Sequence, residues 1–274
     1  MDAEARFAFG KNWQRFLRNL DEGKITEAEK SLCAMLQVSD LKGRSFLDIG
    51  CGSGLFSLAA MRLGASRVHS FDYDPQSVAC ALKLKQRYFP DADCWVIESG
   101  SVLDPDYLDR LRDFDVVYSW GVLHHTGDMW QALDSVVAPV ASGGMLFVAL
   151  YNDQGNLSRV WKVVKELYSR GWAWRLLILA VVGSYFVVRG LVGDLIRLRN
   201  PLDRYRQYPR QRGMSYFTDL LDWVGGYPFE VAKPDAVLEF FRVRGFESIK
   251  VKTVGTGLGN NEFVFRKNAS AQLR

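Results

Sequence analysis

The chain has 274 residues, 48% of them hydrophobic and 24% charged, with a net charge of +4. That balance belongs to a globular protein with a sizeable buried core and excludes a disordered or fibrous chain. The four cysteines, Cys33, Cys51, Cys80 and Cys94, form no C-x-x-C pair, and no His/Cys/Asp/Glu group has metal-ligand spacing, so no metal is expected. No signal-peptide pattern precedes residue 40. A cytoplasmic location with reduced cysteines is therefore expected.

Residues 1–43 read as helical. Thr26 is a candidate N-cap for the run EAEKSLCAML, and Phe9, Trp13 and Phe16 form an aromatic stripe at helical spacing. A strand, Phe46 to Ile49, then enters LDIGCGSG (47–54), and a helix follows from Leu55. Gly50, Gly52 and Gly54 let the backbone turn tightly and approach a ligand without a Cβ in the way. Asp48 stands just before the first glycine as a hydrogen-bond acceptor. No Gly-Lys-Ser/Thr follows, which excludes a Walker loop, and the third glycine comes one residue too early for a dinucleotide fingerprint.

A second strand, Val68 to Phe71, ends at Asp72, followed by Tyr73 and by Asp74-Pro75. An acidic residue about 20 residues beyond a glycine turn is placed to accept ribose hydroxyls. Asp74 is better suited to cap the next helix, with Pro75 at its first position. A third strand lies within 94–104 and runs into Gly100-Ser101-Val102. A fourth, Asp115 to Ser119, is a short apolar run of the buried parallel type. Beyond it come Trp120, His124 and His125, outside the carboxyl end of the strand, where ligands of open α/β sheets bind. A histidine there can take a proton, or it can simply cap the loop. His69, inside a strand, is read as structural.

These motifs, in this order, resemble those of the class I S-adenosylmethionine (SAM)-dependent methyltransferases, with methyltransferases of types 11 and 12 as the nearer likeness. The resemblance covers residues 44–154 well and implies SAM as the cofactor. It implies that Asp48, Gly50, Cys51, Gly52 and Gly54 hold the methionine end and Asp72 the ribose. Tyr73, Ser101 and Val102 would flank the adenine, and Ser119 and Trp120 would border the methyl group. His124 or His125 would be the catalytic base, although in-line proximity alone can supply much of the acceleration. The resemblance also makes the N-terminal segment a lid over the cofactor, with packing on the sheet as the alternative for its aromatic stripe. Trp13, Tyr151, Trp223 and Tyr227 are the candidate acceptor contacts.

The expected fold is α/β, a Rossmann-like, mostly parallel sheet with helices on both faces. The sequence itself shows alternating strands and helices. Seven strands in the order 3-2-1-4-5-7-6 follow from the resemblance. A fifth strand is expected at 145–152 after a Ser142-Gly143-Gly144 turn, a helix over 234–243, and a closing hairpin at 246–254 and 261–268. The domain reading is a helical lid at 1–43, the core at 44–152, a helical insertion at 153–233 and a core-completing tail at 234–274.

The insertion departs from the common pattern. Between Ser158 and Arg212 it carries twelve Lys/Arg and three acids, a net +9, which leaves −5 for the rest of the chain. Its centre, 176–188, has no charge. Thirteen residues are short of the roughly 20 that a bilayer span needs, and extension to Ile196 brings in Arg189, Asp194 and two glycines, so no transmembrane helix is expected. Three readings stand: a cap roofing an acceptor pocket, an interfacial helix over 172–199 at the inner membrane face, or a homodimer interface. The aromatic, turn-rich stretch 222–230 either faces the acceptor or clamps the insertion to the core. The expected reaction is methyl transfer to O or C of a lipid-like, aromatic or sugar-containing small molecule. An RNA methyltransferase using the basic insertion and a non-catalytic SAM-binding regulator are the alternatives, nucleic acid being the less expected partner because of the aliphatic stretch.

Overall fold

A computed structural model describes residues 10–197, 200, 224–257 and 259–269. Its centre is a seven-stranded sheet in the order β3-β2-β1-β4-β5-β7-β6. The strands are β1 (Ser45–Ile49), β2 (Arg67–Asp72), β3 (Trp95–Ser99), β4 (Phe114–Trp120), β5 (Val140–Tyr151), β6 (Phe246–Lys252) and β7 (Asn260–Lys267). All neighbours run parallel except β7, which is antiparallel to both β5 and β6. The expected order and mixed character of the sheet are thus what the chain adopts.

The central strands β1 and β4 are mostly buried because both faces are covered. Successive side chains leave a strand on opposite sides. In β1 and β4, Phe46, Val116 and Tyr118 join one core cluster, and Leu47, Ile49 and Val117 join the other. The first core is closed by α1 (Gly10–Arg18), α2 (Glu22–Leu36), α3 (Leu55–Arg62) and α4 (Pro75–Tyr88). The second is closed by α5 (Pro105–Leu108), α6 (Met129–Ser135) and, with the helices α7 (Asn156–Ser169) and α8 (Trp172–Ile196) intervening in the chain, by α9 (Pro234–Arg242).

Three local readings change. The second helix begins at Glu22, not after Thr26, because Asp21 accepts from the Lys24 amide at 2.9 Å and starts it a turn earlier. The Ser142-Gly143-Gly144 turn is an irregularity inside β5: the register against β4 jumps from Val140 at Phe114 to Met145 at Val116. The apolar run of the insertion does not stop at Arg189. It continues as an unbroken 25-residue helix, α8, long and apolar enough by length and composition to cross a membrane.

The insertion leaves and re-enters the core at one place. Asn152, just after β5, bridges Ala232 in parallel. Asn152 is held by a buried amide pair, with Asn261 Nδ2 donating to its Oδ1 at 2.9 Å while its own Nδ2 donates to the Gly255 carbonyl at 2.8 Å. Both ends of the excursion are therefore fixed beside the carboxyl ends of β4 and β5.

Candidate active site

The glycine turn is built for close approach. Gly50, Gly52 and Gly54 all have φ between +54° and +79°, a region that favours glycine. A Cβ on Gly50 would stand 2.4 Å from Val122, and one on Gly52 would stand 2.7 Å from the Trp13 ring. The turn is tied to β2 by the Gly50 and Cys51 amides, which both donate to the Phe71 carbonyl. Helix α3 starts at its far end with no side-chain cap, so its first amides face outward from a positive helix end.

Two carboxylates flank this turn. Asp72 ends β2; its Oδ2 accepts from the Gly52 amide at 2.9 Å and its Oδ1 from the Asp74 amide at 2.8 Å. A carboxylate has about four acceptor positions, so two bonds leave capacity for a diol. Burial outweighs those bonds and pushes the Asp72 carboxyl up to about 6. Asp48 is more enclosed, at 2% exposure. It ends a relay in which Trp95 Nε1 donates to Ser70 Oγ, Ser70 to Ser57 Oγ, and Ser57 to Asp48. Burial, with the nearby Asp72 charge, raises Asp48 to about 7. The same burial and the same two carboxylates hold the Cys51 thiol protonated. Two buried acids with raised values, with no cation paired to them among the described residues, are an acceptor set suited to a cationic ligand. The cradle therefore fits a sulfonium nucleoside that carries an ammonium and a ribose.

Helix α1 covers the turn. The Gly10 amide donates to Asp74 Oδ2 at 2.9 Å, and Asp74 also caps α4 through the Gln76 amide. Trp13 lies over Gly52 and meets Phe16 edge-to-face at 6.0 Å, while Phe16 sinks into the core. The two readings of the stripe are thus divided between residues, Trp13 covering the turn and Phe16 packing. Phe9 lies outside the described residues. At the next turn Ser101 Oγ accepts from the Leu103 amide, while the Val102 side chain is buried in the core and presents nothing outward. Tyr73 is exposed beside Asp72.

At the end of β4 the expected residues separate. Trp120 is exposed, but Ser119 is fully buried and donates its hydroxyl to the Ile49 carbonyl at 3.1 Å. Ser119 ties β4 to β1 instead of bordering an open space. The two histidines differ in chemistry. His124 Nδ1 accepts from the Tyr151 amide at 3.3 Å, so the neutral ring carries its proton on Nε2. That Nε2 is buried with no hydrogen-bond partner. His124 is accordingly a donor, and the reading of it as a base is corrected. His125 Nδ1 lies 2.6 Å from the Pro228 carbonyl, which can only accept, so the proton sits on Nδ1 and the lone pair on Nε2. Burial depresses both rings, assisted by the Lys165 charge, His125 to about 3 and His124 well below its ordinary value.

A wall closes over this pair. Tyr151 meets the His124 ring at 4.0 Å and the Phe229 ring at 5.2 Å. The Glu230 amide donates to the His124 carbonyl, and its carboxylate accepts from the Met129 amide. Lys165, fully buried on α7, places Nζ 4.9 Å from the Phe229 ring centre. The stretch 228–232 is therefore a clamp on the histidine loop, and Tyr227 is half-buried next to it. Trp223 lies outside the described residues. Sequence reasoning missed Lys165, Glu230 and the Ser57–Ser70–Trp95 relay. Only Ser57, in the first turn after the glycines, carried a local signal.

Residues 47–146 match the model of the methyltransferase domain family. Residues 47–146 thus carry a methyltransferase domain, on a fold of the class I type. The ribosomal protein L11 methyltransferase of Legionella pneumophila (strain Lens) is 49% identical over 57 residues, 20% of either chain. The tRNA U34 carboxymethyltransferase of Pseudomonas savastanoi pv. phaseolicola is 31% identical over 122 residues, 44% of this chain and 37% of that one. The chain thus spans well under half the length of the curated relatives it matches. Among solved structures, the magnesium protoporphyrin IX methyltransferase from Synechocystis PCC 6803 with bound SAH superposes with TM-score 0.54, over 94% of each chain, at 14% identity. At that identity the likeness is one of fold.

Proposed function

We propose that this methyltransferase moves a methyl group to an oxygen or carbon of a small, lipid-like, aromatic or sugar-containing acceptor. The observation that supports this is the wall of His125, Tyr151 and Phe229 at the carboxyl ends of β4 and β5, with the buried Lys165 of α7 behind it. An aromatic wall carrying a few convergent polar groups suits a compact organic molecule.

When bound, SAM supplies a methyl group on a sulfonium, a donor that needs little further activation. Asp48 and the α3 amides hold its methionine end, Asp72 accepts from the ribose, and Trp13 covers the turn. His125 receives the acceptor's proton on Nε2. With basicity as depressed as that of His125, the suitable acceptors are those whose proton is already acidic: a phenol, an enol or a carboxylic acid. Lys165 then favours the anion that forms.

The test is transfer of radiolabelled methyl from SAM into a fractionated bacterial extract. Label in the lipid or small-metabolite fraction supports the reading. Label confined to RNA refutes it and moves the basic insertion to a nucleic-acid role, and confirmed SAM binding with no label in any fraction counts for a non-catalytic binder.

A further inference from the structure

We infer that α8 docks this protein on an anionic lipid bilayer, lying within one leaflet rather than crossing it. Among the described residues, the apolar contacts of the helix with the molecule form a narrow stripe near its start, and Gly190 and Asp194 are buried further along. Ile178, Leu179 and Val182 pack with Tyr168 and Val164 of α7 and with Val224. Elsewhere it is open: 11% of its most apolar stretch is buried. Leu176, Leu177, Val181, Val188, Val192 and Leu195 are all exposed. At 3.6 residues per turn they cover roughly half of the circumference. Leu157, Val160 and Val163 of α7 add to this surface. Isolated exposed apolar side chains need no explanation, but a continuous face of this size does.

A lipid surface accounts for the charges as well as for the apolar arc. Trp172 and Trp174 stand at one end of α8, as aromatic residues do at a membrane–water boundary. Its two cations, Arg175 and Arg189, fall outside the arc, on the side of the packed stripe, where Arg175 Nε donates to the Tyr168 carbonyl at 3.3 Å. Its one acid, Asp194, is buried. The net +9 of residues 158–212 complements an anionic leaflet. A second copy of the chain would cover one seam of a helix and leave the rest of so wide an arc in water.

Topology decides between lying on and crossing. Asn152 and Ala232 are bridged, so the insertion starts and ends on the same side of any membrane. A crossing by α8 would need a second crossing before residue 224. The sequence 197–212 contains six arginines, which a hydrocarbon interior does not accept. α8 is about 37 Å long, sufficient for a span, but a return would have to carry the arginines of 197–212 or fit into the eleven residues 213–223, well short of the roughly 20 a helical span needs.

The experiment is flotation of the purified full chain with vesicles of phosphatidylcholine, with and without phosphatidylglycerol. Floating with the anionic vesicles, and at least about tenfold less with the neutral ones, is expected. A variant with Leu177→Asp, Val181→Asp and Val188→Asp should stay in the dense fraction while binding SAM as the parent does, because all three side chains are exposed. A parent that fails to float, or a variant that floats equally, overturns the proposal. So does a soluble dimer that does not float and that the variant dissociates, since the arc would then be covered by a second copy. Trypsin added outside the vesicles should cut the floated protein after Arg204 or Arg206; protection until detergent is added overturns the single-leaflet placement.

Discussion

The affinity for SAM should depend steeply on pH below neutrality, and Asp48 should be the main cause. Its carboxyl is raised to about 7 by burial and by Asp72. The native state holds that proton more tightly than the unfolded chain does. This group therefore favours folding of the ligand-free protein at low pH, and its contribution is lost as pH rises from about 4 through about 7. A cationic ligand reverses the preference, because it pairs with the ionised form. Binding below pH 7 must then expel a proton, and the dissociation constant should rise about tenfold per pH unit. Between pH 8 and pH 5 the loss from Asp48 alone is on the order of a hundredfold. Asp72, raised to about 6, adds to it below that value. Isothermal titration calorimetry in buffers of different ionisation heat measures both the affinity and the proton released. Asp48→Asn should bind weakly at pH 8, match the parent near pH 5, and lose most of the slope. A parent affinity that is flat over this range, or a variant with the parent's slope, would refute the assignment of Asp48 to the cationic end of the ligand.

Asp72→Ala frees the Gly52 and Asp74 amides, each worth about 1.5–3 kcal/mol as a bond to a charged acceptor, and should weaken SAM binding by more than about tenfold. An unchanged dissociation constant removes Asp72 from the ribose. The two histidines should separate. His125→Phe should lower kcat with SAM affinity kept, whereas His124→Ala should lower the melting temperature through about 2–4 kcal/mol of lost packing against Tyr151; equal kcat for His125→Phe and parent would end the proton-acceptor role. Trp13→Ala uncovers Gly52 and should speed SAM dissociation in stopped-flow fluorescence, with a slower or equal off-rate counting against the cover. Lys165→Met should raise the apparent pKa of His125 toward its ordinary value, read from the pH profile of kcat.

The parts that were legible in the sequence are those that local chemistry dictates. Three glycines at alternate positions, an acid ending β2 and an Asp-Pro helix start are local signals, and the chain adopts the positive-φ turn, the strand end and the N-cap that they suggest. The parts that were not legible depend on partners distant in sequence. His124 and His125 are adjacent and of one residue type, yet their proton positions are set by Tyr151 and Pro228, so donor and acceptor could not be told apart beforehand. The resemblance puts Ser119 beside the methyl group, but a serine near a strand end can also bond a neighbouring carbonyl, and here the Ile49 carbonyl takes it. Lys165 had no local signal at all; a lysine on an amphipathic helix is ordinarily solvated, and only the fold puts it behind Phe229.

The length of α8 shows why counting uncharged residues underestimates an apolar helix. The sequence was cut at Arg189 because a charge ended the run, but on a helix a single arginine occupies one flank and leaves the opposite side unbroken. Arg175 and Arg189 lie outside the exposed arc, on the side of the stripe packed on α7, so the arc from Leu176 to Leu195 carries no cation although the sequence does. The same geometry bears on the acceptor. α7 carries Lys165 on its inner side, behind the His125–Tyr151–Phe229 wall, and Leu157, Val160 and Val163 on its outer side, continuous with α8. If α8 rests in a leaflet, the acceptor wall is one helix away from the acyl chains. An amphiphilic acceptor would then be concentrated at the surface on which the enzyme itself is held, and activity on such an acceptor should rise when anionic vesicles are added. Activity on a water-soluble acceptor of the same reactive group should not, and equal stimulation of both would separate the docking surface from the route by which the acceptor arrives.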